Sequence, residues 1–303
     1  SSLQAINNSD LFKYSPYKSL SRDQRKSVVE IVDNLVNTHY KTILVEGGAG
    51  TGKTVLAIYI MKMIVSEIED FNFKEFESED SSLVEMIKEI KRRNPKPSIA
   101  LVIPMQSFRT TVKKLFKHVK GLSQDMVIGP SDLAKKKGKY DLIIVDEGHR
   151  LRQRKNLSSY FKAFDDANKA LKLNPAEANE LDWVKLKSKQ HIIFYDSGQS
   201  IKPSDVHQTA FDQLRANTAT KRLELKTQFR VSAGNNYAKF IDDLFHQNLN
   251  PKIHKFRNYE LKLFTSIRDF KNAVQVKEKE HQLSRMIAGF SWEWKSKKNK
   301  NRH

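Results

Sequence analysis

The sequence contains no cysteine, so neither a disulfide framework nor a thiolate-ligated metal centre is open to it. No apolar stretch approaches the roughly 20 residues that a membrane-spanning helix requires, and the longest runs, such as Leu142-Ile-Ile-Val145, have the length of a strand. The first residues are polar and include no hydrophobic targeting segment, which predicts a cytoplasmic protein that does not enter a membrane. Acidic residues are in deficit: 35 Asp and Glu stand against 54 Lys and Arg, a net charge of +19. That excess goes beyond what solubility needs and points to a polyanionic partner, nucleic acid first and an acidic membrane surface second. No internal repeat at a solenoid period is found. What remains is a 303-residue chain with 39% hydrophobic content, long enough for one large or two medium domains with proper cores. It begins with Ser and ends in a basic tract from Lys295 to Arg302, so both ends are expected to be cut from a longer polypeptide.

Hydrophobic periodicity predicts a helix over Leu20 to Asn37 with Ser21 as its cap, a strand at Thr42 to Glu46, a glycine-rich turn, and a helix from Thr54 to Ser66. A charged segment at 67 to 97 reads as a peripheral insertion with one amphipathic helix. Strands are predicted at Ile99 to Ile103, Leu142 to Val145 and His191 to Tyr195, with a helix near Ser107 to Val119 and a helical insertion across 156 to 190. Strands alternating with helices imply a parallel sheet covered on both faces, an α/β fold. After Arg222 the pattern restarts, with a helix at Asn236 to Phe245, a strand at Leu261 to Phe264, a helix near Ile267 and a strand at Met286 to Phe290. The expected division is therefore 1–222 and 223–303, the second being an α/β unit that stops early.

Gly47, Gly48, Ala49, Gly50, Thr51, Gly52, Lys53 and Thr54 satisfy G-x-x-x-x-G-K-[ST] at every fixed position. Glycines let the backbone curl so that successive N–H groups face phosphates at a helix N-terminus. Lys53 then reaches the β and γ oxygens, and Thr54 offers its hydroxyl to Mg²⁺. Further on, an apolar strand delivers Asp146 and Glu147 at its C-terminal end, where ligands of parallel sheets collect. Asp146 is the expected second metal residue, and Glu147 the residue that orients and deprotonates an attacking water. A Glu in that position argues for hydrolysis of ATP or a close relative rather than transfer to a small molecule. A third strand runs into Asp196-Ser-Gly-Gln199, where Gln199 is placed to sense the γ-phosphate and Asp196 to anchor it; the plain alternative is an ordinary turn. Gln24 is placed to recognise adenine by its amide, although a single Gln on a helix is more often a surface residue.

Leu20 to Gln24, the phosphate loop, Ala100 to Arg109, Val145 to Arg150, Phe194 to Ser200 and Leu225 to Arg230 follow the order of superfamily one helicase motifs. More closely, the chain resembles the Schlafen group 3-like DNA/RNA helicase domain family, through to Ile287-Ala-Gly-Phe-Ser-Trp292-Glu-Trp294. That resemblance implies a RecA-like P-loop domain over 1–222 and a partial second RecA-like domain over 223–303. It implies ATP and Mg²⁺ as cofactors, Gln24 as the adenine contact, and Arg230 reaching across to the γ-phosphate. His149 would link the carboxylate pair to Gln199. Pro104 to Lys117 would lie along a strand-binding face, with Gln106, Ser107, Arg109 and Thr110 available to phosphates and Phe108 or Phe116 to stack on a base. Lys135, Lys136, Lys137 and Lys139 form a second basic run, for which a solvated loop is the commoner reading. Gly148 stands where the family more often has Ala, a difference expected to change little chemically, and the later helicase motifs have no counterpart before His303. The expected function is an ATP-dependent motor or remodeller on single-stranded DNA or RNA with little sequence preference, within a larger protein carrying a nuclease or other effector. The rival is a nucleotide-controlled switch with a protein partner.

Overall fold

The computed structural model describes residues 19–67, 82–199, 202–227, 234–248, 256 and 260–287. Helix α1, Arg22–Asn37, starts in a capping box: the Ser21 hydroxyl accepts from Gln24 N, and the Gln24 side chain accepts from Ser21 N. Its apolar stripe of Val28, Ile31 and Val32 is fully buried. Strand β1, Thr42–Gly47, leads through the glycine turn into α2, Lys53–Val65. All residues of α2 except Val65 are buried, so it is a central helix and not an amphipathic cover. Each fully buried Ile, Leu or Met contributes about 1.5–3 kcal/mol relative to exposure, which makes α2 the rigid base of the glycine turn.

The remaining elements of this unit are α3 (Ser82–Arg93), β2 (Ile99–Val102), α4 (Gln106–Phe116), β3 (Val127–Ile128), β4 (Tyr140–Val145), α5 (Phe161–Ala170), α6 (Glu180–Lys187), β5 (Ser188–Tyr195), α7 (Gln208–Ala216), β6 (Thr220–Leu225) and α8 (Gly234–Phe245). The six strands form one parallel sheet in the order β3-β2-β4-β5-β1-β6. Alternation along the strands divides the core in two. Ile43, Val45, Ile144, Ile192 and Phe194 face a cluster shared with α1 to α4, whereas Leu44, Ile143, Val145, Ile193 and Tyr195 face one built with α5, α6 and α7. The register aligns Val45 with Phe194 and Val145 with Ile193, so the ends of β1, β4 and β5 lie side by side.

The chain divides into two compact units, Ser1–Pro251 and Lys252–His303. β6 runs through residues 222 and 223 and pairs with β1 from Thr42↔Thr220 to Gly47↔Leu225. In the second unit the described residues form helix α9, Ile267–His281, capped by the Ser266 hydroxyl accepting from Asp269 N. The strand expected at Leu261 to Phe264 is not formed, nor are Met286 and Ile287 in a strand. Those apolar side chains, including Leu263 at 83% and Ile287 at 91% exposure, have no partner strand among the described residues to pair with. The rest of the second expected strand, 288–290, lies outside the described residues. No helix among the described residues is long and apolar enough to cross a membrane.

Candidate active site

The turn between β1 and α2 has the backbone that its glycines permit. Gly50 (φ 83°) and Gly52 (φ 78°) are left-handed, and a Cβ on Gly47 would sit 2.5 Å from Thr51 Oγ1 and 3.1 Å from Leu225 O. The first backward helical bond is Leu56 N to Gly52 O at 3.0 Å. The N–H groups of Lys53, Thr54 and Val55 therefore have no intrahelical acceptor, and they open an anion site at the positive end of a buried helix. The Lys53 ammonium, 6% exposed, donates to Gly47 O (2.7 Å) and Gly48 O (2.9 Å) and lies 3.4 Å from Asp196 Oδ2.

Asp146 ends β4 beside this turn and is fully buried. Its Oδ2 accepts from Thr54 Oγ1 at 2.6 Å and its Oδ1 from Glu147 N at 3.0 Å. Burial, with the Glu147 charge adding to it, pushes the Asp146 carboxyl up to about 6. A buried acid held against a threonine hydroxyl is a pair of hard oxygen donors of the kind a divalent cation takes. Among the described residues no cluster of three or more His, Asp or Glu could hold a metal alone. One carboxylate beside one hydroxyl is a donor set compatible with Mg²⁺, which is commonly held by one or two carboxylates while phosphates and waters complete its shell.

Glu147 follows in a left-handed conformation (φ 56°, ψ 45°). This turns its carboxylate towards buried His149, whose Nε2 lies 2.8 Å from Oε2, within ion-pair distance but off the alignment of a hydrogen bond. Burial raises the Glu147 carboxyl, but the His149 contact, with Lys53 and Arg150 nearby, outweighs it and the net shift is downward. Glu147 is thus an anion at neutral pH. His149 meets the Tyr195 ring edge-on at 6.4 Å between centroids. Gln199 is joined instead to Asp196, whose Oδ2 accepts from Gln199 Nε2 at 2.5 Å and whose Oδ1 accepts from Gly198 N at 3.1 Å. Asp196 therefore anchors Gln199 as its spacing suggested, and it also meets Lys53, a partner 143 positions away that nothing in the sequence announced. At Gly148 the difference is steric: a Cβ there would stand 2.7 Å from Ile193 Cγ2 and 2.9 Å from Phe194 O, so alanine requires β5 to move.

Gln24 is no surface residue. It is 1% exposed, and its amide donates to Thr51 O and Gly52 O, both at 3.2 Å, bracing the phosphate loop from α1. A cleft of about 890 Å³ opens beside the loop, lined by Glu46, Gly47, Gly48, Thr51 and Asp196 on one side and by Arg222 to Lys226 on the other. Glu46 is held there by Arg215 (2.7 and 2.8 Å) and Arg222 (3.4 Å). Arg230 lies outside the described residues.

On α4, Gln106, Ser107 and Thr110 are exposed and Arg109 is half-buried. The Arg109 guanidinium donates to Ile103 O at 2.7 Å and to the Gln106 side chain, and it packs on Gly129, where a Cβ would be 2.5 Å from Nη1. Donors on both terminal nitrogens are thus committed to neighbouring oxygens of the fold. Phe116 is fully buried, and Phe108 packs partly on the same core; the resemblance made Phe116 a stacking candidate, but helical period places it on the apolar face of α4. In the second basic run Lys135 pairs with Asp132 and Lys136 lies over the Tyr140 ring, leaving Lys137 and Lys139 exposed.

Among solved structures the chain is similar to Pif1 from Bacteroides sp, unliganded (12% identity, TM-score 0.37, 77% of this chain and 47% of that one). It is also similar to Pif1 in a structure of DNA unwinding at forked dsDNA (11% identity, TM-score 0.36, 77% and 50%). AMPPCP-bound DnaA from Aquifex aeolicus matches at 14% identity and TM-score 0.34, with 89% of this chain and 68% of that one covered. The chain spans about half the length of the Pif1 chains it matches. No curated protein matches it. The description "Schlafen group 3, DNA/RNA helicase domain" matches residues 40–303. With a match of that extent, the chain belongs to the Schlafen group 3 DNA/RNA helicase domain family.

Proposed function

We propose that the chain is an ATP-hydrolysing nucleic-acid motor or remodeller acting on single-stranded DNA or RNA. The observation that carries this reading is the convergence of Lys53, the Thr54–Asp146 pair and Glu147 at adjacent strand ends beside an open cleft. The free amides at the start of α2 and the Lys53 ammonium bind the β and γ phosphates, replacing the loop carbonyls that Lys53 now meets. Thr54 and Asp146 would hold Mg²⁺, which neutralises charge on the transferring phosphoryl group. Glu147 accepts a hydrogen bond from the attacking water and orients it in line. Gln199, held by Asp196, reads the γ-phosphate, and Arg230 would add to the charge stabilisation there. Gln24 contributes through the loop it braces as well as through any adenine contact.

For nucleic acid, the exposed Gln106, Ser107 and Thr110 on α4 and the exposed Lys137 and Lys139 are the proposed backbone contacts. The commitment of Arg109 and Phe116 to the fold favours the second reading to a degree, a nucleotide-driven switch acting on a protein. The test of the site is ATP turnover by Lys53→Ala. Hydrolysis is expected to vanish while cooperative melting is retained, and wild-type turnover in that variant would remove the phosphate-loop assignment.

A further inference from the structure

Two consecutive residues at the start of α1 reach opposite walls of the cleft. Gln24 donates to the phosphate-loop carbonyls of Thr51 and Gly52. Asp23 turns the other way: its Oδ2 accepts from Lys226 N at 2.6 Å and Thr227 N at 3.0 Å, and its Oδ1 accepts from Thr227 Oγ1 at 2.8 Å. Ser21 joins the two, donating its hydroxyl to Asp23 Oδ1 while accepting from Gln24 N. The amides that Asp23 takes up lie just beyond Leu225, the last residue of edge strand β6, where the ladder ends and no strand supplies acceptors. Burial acts to raise the Asp23 carboxyl, but the hydrogen bonds from Ser21, Thr227 and Lys226 together hold it down at about 2, so the clamp is charged throughout the physiological range.

The clamped residues also form part of the cleft wall: Leu225 and Lys226 line it opposite Gly47, Gly48 and Thr51. Three positions beyond Thr227 the chain reaches Arg230. We propose that Asp23 is a positioning residue for hydrolysis, fixing the start of the segment that carries Arg230 and, with Ser21 and Gln24, tying that segment to the phosphate loop. This rests on the reading of Arg230 as the γ-phosphate contact. Asp23 itself touches no reacting atom.

The test compares Asp23→Ala, Asp23→Asn, Arg230→Ala and the Asp23→Ala/Arg230→Ala double variant with the full chain. Steady-state ATP turnover is read beside the affinities for ADP and for a non-hydrolysable ATP analogue. Asp23→Ala is expected to lower kcat about 10- to 100-fold, the scale of a misplaced catalytic group, and to weaken the ATP analogue relative to ADP while ADP affinity stays within about two-fold. Asp23→Asn, which keeps one accepting oxygen, falls between, and it carries the cycle if the alanine variant does not fold. The double variant is expected to be no slower than Arg230→Ala alone, whereas general loosening of the fold would multiply the two losses. Multiplied losses, or wild-type kcat in both Asp23 variants, overturn the proposal. Wild-type kcat and analogue affinity in Arg230→Ala overturn instead the reading of Arg230 on which it rests.

Discussion

Thr54 Oγ1 donates a 2.6 Å hydrogen bond to Asp146 Oδ2 across 92 positions of sequence, joining the first turn of α2 to the end of β4. Both oxygens are buried and both suit a hard cation. The adjacent Glu147 points away, to His149. The two carboxylates thus have separate environments, as the separate tasks proposed for them require.

Asp146→Asn should keep the Thr54 hydrogen bond, since the amide oxygen can still accept, but lose the charge that draws the metal. Nucleotide affinity measured with Mg²⁺ and with chelator is expected to differ in the wild type, and in this variant the two values should approach each other. Glu147→Gln should bind ATP with Mg²⁺ normally and hydrolyse it about 10²- to 10⁴-fold more slowly. Identical phenotypes in binding and turnover assays would contradict the division of roles.

Gly148→Ala should destabilise the first unit. Its Cβ meets Phe194 O at 2.9 Å, a backbone atom of β5 that cannot swing aside. A cost of about 1–3 kcal/mol is expected from such overpacking. Thermal or denaturant melting unchanged from wild type would mean that β4 and β5 separate more freely than their pairing suggests.

Glu180 gives a pH signature away from the site. It is fully buried, accepting from Arg152 N at 2.9 Å and Tyr160 OH at 3.0 Å, and burial pushes its carboxyl from 4.5 up to about 7 against those donors. The folded state therefore holds the proton where the unfolded state has released it, and stability falls as pH rises from about 4.5 to about 7. Glu180→Gln can accept from Arg152 N through its oxygen and donate to Tyr160 through its amide. It should match wild type near pH 4 and exceed it at pH 7.5 by up to about 3 kcal/mol. Equal stabilities at pH 7.5 would show that Glu180 ionises at no cost.

The phosphate loop and the Asp146-Glu147 pair were legible because each is local: a fixed spacing between a strand and a helix, and two acids after an apolar run. The long strands and their helices were legible for the same reason. Contacts between distant segments were not. Asp196 meets Lys53, and Asp23 meets Thr227 across 204 positions. No periodicity encodes either pairing. β3 has two residues and is too short for any alternation to mark it. Leu261 to Phe264 has the composition of a strand but no neighbouring strand among the described residues, and composition cannot supply one. On α4 the residue types suggested a contact face; packing assigned Phe116 to the core and Arg109 to the Ile103 carbonyl. Gln24 drew notice for its side chain, and its bracing of Thr51 and Gly52 appeared only with the fold.

The central claim, that nucleotide hydrolysis serves action on nucleic acid, is tested most directly by ATP turnover with and without a single-stranded oligonucleotide, DNA and RNA in parallel. A rise of several-fold at low salt is predicted, with oligonucleotide affinity falling on a log-log salt plot by about −0.7 for each phosphate neutralised. Replacing Lys137 and Lys139 should make that slope shallower while leaving turnover in the absence of nucleic acid unchanged. Turnover indifferent to both strands at low salt, with Lys53-dependent hydrolysis intact, would contradict the account and leave the protein-directed switch in its place.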